Sequence, residues 1–444
     1  MKLRVRILVR LIGAMLCVAM IAVACGDLAP DSLAYANDDA DVASESVIRL
    51  ATPRIRGLER AIADWEREHP TARVEIVVRS IDDHHRSVLD DAGAGGAFDI
   101  VGFDATFGPD IRERSELFLD LTTFGVDLAA YSYLESRWNE GIGSDGRLIG
   151  LPLDVDSTSL VIRTDLVDAS LVEQLETADT WCDVLLAGDA FSDSTGVAFL
   201  PDGDELFAAM LSQNRLSFID ETGTLIPEDR QTLEQAWDLA MIAIGSPPLH
   251  GNECDAETEI GRIARNLDKD GESWHKELRS DGFAAVLAQY SELRDIAAAA
   301  PDTSGSWTIV ELPGDAGASS GGIHLGLSRD SEHPELAFDL ISYLANPTIQ
   351  EDVFSNGSGP FPSASILYDR PTITSYSDSF FGDTEIGTIF ASTAERRPTE
   401  LADPLRRIAI EQFVSAMNRV EAGDQDPAEA WDQVLWQIEQ FLGG

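Results

Sequence analysis

The stretch "SVIRLATPRIRGLERAIADWEREHPTARVEIVV", residues 46–78, decides how the chain folds. Its first part, SVIRLATP, is a short apolar run of strand character. GLERAIADWEREHP then sets Leu58, Ile62 and Trp65 on one helical face and stops at Pro70. ARVEIVV returns to strand composition, a polar helix follows from about Asp83, and FDIVGFD (98–104) is a further strand. Strands alternating with helices predict an α/β fold with largely parallel pairing.

Two downstream segments carry clear helix signals. EHPELAFDLISYLANP has Pro334 at its start, Ala337, Leu340, Ile341 and Leu344 on one face, and Asn346-Pro347 as a stop. DPAEAWDQVLWQIEQFL opens with Asp426 as N-cap and Glu429 three residues on, then aligns Trp431, Val434, Leu435, Ile438 and Leu442. Trp65, Trp431 and Trp436 are assigned to core faces.

The N-terminus has Lys2, Arg4, Arg6 and Arg10, an apolar run from Leu11 to Ala24, and small residues before a cysteine: the layout of an export signal. Arg10 leaves the run short of the roughly 20 apolar residues a membrane-spanning helix needs. The sequence IAVACGDLAPD (21–31) resembles the lipobox of bacterial lipoproteins, with Ala22 where Leu is usual. That resemblance implies cleavage before Cys25, acylation of its thiol and attachment to a membrane by lipid. Residues 1–24 then form the signal peptide. Residues 25–46, rich in Asp, Ser and Ala, form a lipidated tether.

Cleavage removes four basic residues and no acidic one, so the formal charge moves from −46 to −50. Phosphate binding relies on Lys and Arg, which excludes nucleic acid as a partner. The acidity reads as a solvated, self-repelling surface suited to an extracytoplasmic protein. With 44% hydrophobic residues, the mature chain is too long for one core, and two domains are expected. Cys182 and Cys254 remain as one disulfide or two buried thiols, the disulfide being preferred outside the cell.

Four segments resemble the extracellular solute-binding proteins of ABC importers, family 1, the group that includes maltose-binding protein. They are GLERAIADWEREHPTARVEIV, FDIVGFDATF, DGRLIGLPLDVDSTSLVIRTDLV (145–167, with Thr180-Trp181 following), and the long run from Trp307 to Gln350. Order and spacing make the match specific. The resemblance implies a two-lobed α/β fold of the type II periplasmic-binding-protein kind, with a ligand cleft between lobes and three hinge crossovers. By analogy one lobe holds 47–154 plus 323–361, and the other 155–322 plus 362–444. The implied function is capture of a small solute, most simply a carbohydrate, by hinge closure and delivery to a permease. No chemistry on the solute and no cofactor or metal is expected, and the protein is expected to be a monomer. A ligand sensor feeding a signalling receptor is the alternative use of the same fold.

Carried over by position, the resemblance nominates Asp104, just past its strand, and Asp156 at the first hinge as acceptors for ligand hydroxyls. Both sit where α/β crevices bind ligands. Thr52 and Arg54 follow the first strand. Gly321 and Gly322 would let backbone approach a ligand. Phe107 and Trp274 are the candidates for stacking on a sugar face. The sequence departs from the sugar binders at Ala51, where a Trp is usual, and in LADPLRRIAI (401–410), which has no aromatic. Arg396-Arg397-Pro398 is present instead and is placed near the cleft.

Two motifs point elsewhere. DDHH (82–85) holds metal-type ligands, but neighbours on a helix diverge by about 100°, so a helix start with exposed histidines is expected. GASSG (317–321) matches the G-x-S-x-G elbow of serine hydrolases, which would make Ser319 a nucleophile. That elbow joins a strand to a helix, whereas GGIHLGLS reads as a strand.

Overall fold

A computed structural model describes residues 46–90, 98–126, 132–214, 227–251, 254, 260–267, 271–356, 359–399, 403 and 405–443. The export segment, Cys25 and nearly all of the tether lie outside the described residues. Among the described residues no helix is long and apolar enough to cross a membrane.

Two sheets organise the chain. The first runs β2-β1-β3-β9-β4, comprising β1 (Ser46–Pro53), β2 (Ala72–Arg79), β3 (Ile100–Asp104), β4 (Leu151–Pro152) and β9 (Ile323–Leu327). The second centres on β5 (Asp156–Arg163), flanked by β6 (Ala285–Gln289) and β7 (Trp307–Val310), with β8 (Ala318–Gly321) also paired to β5. The expectation of largely parallel pairing holds only for β2-β1-β3. Strand β9 is antiparallel to β3 and β4, and every pairing of β5 is antiparallel. A helix between β1 and β2 returns the chain to run the same way. Strand β9 arrives directly from β8 with one residue between them, so nothing reverses it.

Leu58, Ile62 and Trp65 are buried on the helix Leu58–Glu68, and the Trp65 indole donates to Asp339 at 2.8 Å. Pro334 opens the helix Pro334–Ala345, which ends at Asn346. That residue also caps the next helix, Pro347–Ser355, by accepting from Thr348 N–H. In the last helix, Pro427–Gly443, Asp426 accepts from Ala428 N–H, and Trp431, Val434 and Ile438 are buried. Trp436 is not on the core face, being 59% exposed. It lies two residues beyond Val434, about 200° round the helix from it.

Cys182 and Cys254 form a disulfide closing a sequence separation of 72 residues and tying the helix Trp181–Thr195 to a distant loop. Replacing both by serine is expected to cost about 2–4 kcal/mol, mainly by freeing the unfolded chain. Urea unfolding of the double variant would show a lower midpoint and a steeper dependence on denaturant, because the freed unfolded chain exposes more surface. An unchanged midpoint would exclude a stabilising role.

Candidate functional site

Three chain segments cross between the sheets side by side. In the first, 153–155 joins β4 to β5; in the second, Gly322 joins β8 to β9; the third passes Phe361 and Pro362. They are laced by Leu153 N–H to Ile323 O at 2.9 Å, Val155 N–H to Phe361 O at 3.0 Å, and a bridge between Asp154 and Pro362. Gly322 has φ +118°, and a Cβ there would meet the Arg137 guanidinium at 2.9 Å and Asp154 O at 3.0 Å. Its missing side chain therefore serves the crossing itself.

Over these crossings opens a cavity of about 510 Å³, within the size range of small-molecule sites. Asp104, Asp154 and Asp156 line it, together with Gly321 and Gly322. Tyr290, Tyr376 and Phe381 supply aromatic surface, and Arg54, Arg56 and Arg294 come from the loop after β1 and from the segment after β6. Arg56 donates to Asp295 at 2.6 Å, pairing two lining residues that flank opposite sheets.

Asp104 ends β3 and caps the following turn, accepting from Thr106 N–H at 2.8 Å and Gly322 N–H at 3.3 Å. Its burial raises its pKa, partly countered by these bonds and by Arg137. Asp154 accepts from the next amide, Ile323 N–H, and burial pushes its pKa up to about 6. Asp156 accepts from Ser291 N–H at 3.0 Å and Ser291 O–H at 2.6 Å, and burial pushes it up to about 7. Each carboxylate keeps acceptor capacity beyond its backbone partners.

Other nominated residues lie elsewhere. Phe107 is not part of the cavity lining: its ring stacks on His85 at 4.1 Å and carries the Arg407 guanidinium 4.7 Å from its centre. Trp274, 3% exposed, packs against Phe283 in the core, because its helix Glu272–Arg279 turns that face inward. Thr52 is buried beneath Gly102, away from the lining, whereas Arg54 is in it. Arg397 is buried in an ion pair with Glu140, and Arg396 pairs with Glu311; neither lines the cavity.

His84 and His85 are buried, not exposed, because the helix Ile81–Asp90 lays them against the first sheet. His84 Nε2 meets Gly102 O at 2.6 Å. His85 Nδ1 meets Ile81 O at 2.7 Å and its Nε2 accepts from Asp104 N–H at 2.9 Å. Those partners hold His85 as the neutral Nδ1–H tautomer, and burial takes both rings down to about 4. They are structural props behind Asp104. Among the described residues no group of His, Cys, Asp and Glu could hold a metal. Ser319 sits inside β8 and donates to Asp156 O at 2.7 Å, so it occupies a strand rather than an elbow.

Sequence reasoning missed Asp154, Tyr290, Tyr376 and Phe381. Tyr290 directly follows β6, a strand-end position like that of Asp104, which the family resemblance nominated. Nothing in the Ser-rich run around Tyr376 and Phe381 marked them.

A crevice over three interleaved crossings, floored by strand-end carboxylates, defines a two-lobed binding protein of the type II periplasmic kind. The chain belongs to the bacterial extracellular solute-binding protein family, whose model matches residues 61–380. This is a family of binding proteins, not enzymes. A crystal structure of an extracellular solute-binding protein family 1 member is similar with a TM-score of 0.78 at 22% identity, over 89% of this chain and 100% of that one. The sugar-binding protein MalE from Xanthomonas citri gives 0.68 at 20% identity, over 90% and 98% of the two chains. An ABC transporter associated binding protein from B. animalis subsp. lactis, in complex with beta-1,6-galactobiose, gives 0.66 at 17% identity, over 90% and 98%. A comparison with curated protein sequences finds no match.

Proposed function

We propose that the protein captures a small saccharide in the cavity above the three crossings and delivers it to an ABC permease. It works as a monomer at the outer face of the cell membrane, held there by lipid on Cys25. The observation that carries this reading is the cavity floor: Asp104 and Asp156, each at a strand end, line a space that aromatic rings also line. Carboxylates accept from neighbouring hydroxyls, each such bond contributing about 1.5–3 kcal/mol, and rings cover apolar sugar faces. With lobes taken as 47–154 plus 323–361 and 155–322 plus 362–444, ligand contacts reach both only on closure. Binding thereby shifts the population to the closed form.

The test is a thermal-shift screen of residues 27–444 against mono- and disaccharides. At about 100-fold excess over Kd, a ligand should add about 2.7 kcal/mol to stability. A rise confined to one sugar class, lost in Asp104→Ala, is the expected result. A folded protein that responds to no saccharide overturns the sugar assignment.

A further inference from the structure

Charge is unevenly placed in the cavity lining. Arg54 directly follows β1 and Arg79 ends β2; these strands are parallel neighbours, with Pro53 registered opposite Arg79. The fold therefore sets two arginines side by side at adjoining strand ends of the first sheet. Its order β2-β1-β3 puts Arg79 two strands from Asp104, about 10 Å at the usual strand spacing. In the second sheet Arg294 follows the edge strand β6, while Asp156 begins the inner strand β5. Each sheet thus brings arginine to the cavity from its edge-strand side and carboxylate from further in.

The lining carboxylates are engaged by the protein, and these arginines are not. Asp104, Asp154 and Asp156 accept from Gly322, Ile323 and Ser291 N–H. Glu292 and Asp378 accept from Gln289 and Phe380 N–H, and Asp295 holds Arg56. Burial raises all three floor carboxyls, Asp156 to about 7, so the floor carries less than its full formal charge at neutral pH. By contrast, Arg54 and Arg294 make no hydrogen bond or ion pair among the described residues. Arg79 donates to Ser87 Oγ at 2.7 Å and lies over the Phe98 ring, with no carboxylate. The chain has 78 acidic residues against 32 basic ones, and arginines outside the cavity such as Arg163, Arg265 and Arg370 are paired. Three guanidiniums left without carboxylates in one lining match an anionic oxygen group, which accepts parallel N–H bonds from a guanidinium fork.

We infer that the captured solute is an acidic saccharide, its hydroxyls over the floor carboxyls and its carboxylate or phosphate held by Arg54 and Arg79 from the first sheet and Arg294 from the second. This rests on the reading of the cavity as the solute site. Calorimetric titration of the purified protein at pH 7 with glucuronate, galacturonate and glucose 6-phosphate, and with glucose and galactose, separates charge from sugar shape. One acidic sugar is expected to bind at least tenfold tighter than its neutral parent, and which one it is tells carboxylate from phosphate. Arg54→Gln and Arg294→Gln should each bring its affinity down to that of the neutral parent. The urea midpoint should stay unchanged, since neither side chain has a partner in the fold. Neutral sugars binding as tightly as their acidic counterparts overturn the inference and leave saccharide capture standing. An advantage that survives both substitutions also overturns it, because the anion then sits elsewhere. Binding of citrate or inorganic phosphate with no response to any sugar supports the anion site and overturns the saccharide reading. No binding by either class overturns both.

Discussion

Asp156→Asn is expected to make the ligand-free protein more stable at pH 8 and to weaken solute capture by about 10–100-fold, the loss of one charged hydrogen-bonding partner. The carboxyl sits in a site that favours its neutral form, with a pKa near 7 against an ordinary 3.8. The folded chain then holds this proton to higher pH than the unfolded chain does. The stabilisation is fully present below about pH 4 and disappears as pH rises through 7, a loss on the order of 2–4 kcal/mol. Asp154, pushed up to about 6, acts in the same direction, as do Glu421 near 7 and Asp204 near 6. An asparagine keeps the local bonds, its oxygen accepting from Ser291 N–H and its amide donating to Ser291 Oγ, without a charge to bury. Urea midpoints of the wild type between pH 5 and 8 should therefore fall with pH, and those of the variant should fall less. Parallel slopes would show that Asp156 ionises in the folded state no differently from an exposed carboxyl. A variant less stable at pH 8 would show that the charge is compensated within the cavity.

The same substitution separates what was readable in the residues from what was not. Leu58, Ile62 and Trp65 recur at helical spacing because one face of their helix must leave water, and that requirement is local. Asp104 was legible through the family resemblance, and its place just past an apolar strand, where crevices open, agrees with it. Asp154 was not, because its role depends on Ile323, 169 residues away, meeting it across the crossing. Phe107 and Trp274 show the opposite error. An aromatic near a strand end and another before a strand both suit a sugar face, yet Phe107 is claimed by His85 and Arg407, and Trp274 by Phe283. Those competitors come from other segments, and periodicity carries no information about them. Likewise Trp436 differs from Trp431 only by its angle on the helix, and a count of apolar residues does not resolve that angle. The buried histidines of DDHH follow the same logic: residue type suggested solvent, but the carbonyl of Gly102 and the amide of Asp104 provide partners that make burial tolerable.

Glu140→Gln is expected to be among the most damaging single changes outside the apolar core, costing about 3–5 kcal/mol. Glu140 receives Arg137 at 2.6 Å and Arg397 at 2.5 Å, and all three side chains are almost fully buried. Arg137 is further fixed by the Asp154 carbonyl and by His324, whose Nδ1 lies 3.2 Å away and whose Nε2 meets Arg137 O at 2.7 Å. Burial and the neighbouring guanidinium hold that imidazole well below its ordinary pKa, so it stays neutral and adds no further positive charge to the trio. Removing the single carboxylate leaves two desolvated guanidinium groups facing each other. The pair also joins the two sheets: Glu140 is on a helix packed against β4, while Arg397 follows the helix Ile386–Glu395, which packs on β5, β7 and β8. Part of the damage should therefore appear as weaker solute binding, since the floor carboxylate Asp154 is held from behind by the same Arg137. In Glu140→Gln/Arg397→Leu one of the stranded charges is gone, so that double variant is expected to recover part of the lost stability. A loss under about 1 kcal/mol for Glu140→Gln alone would place the trio in the class of solvent-screened surface pairs. No recovery in the double variant would assign the loss to packing rather than to uncompensated charge.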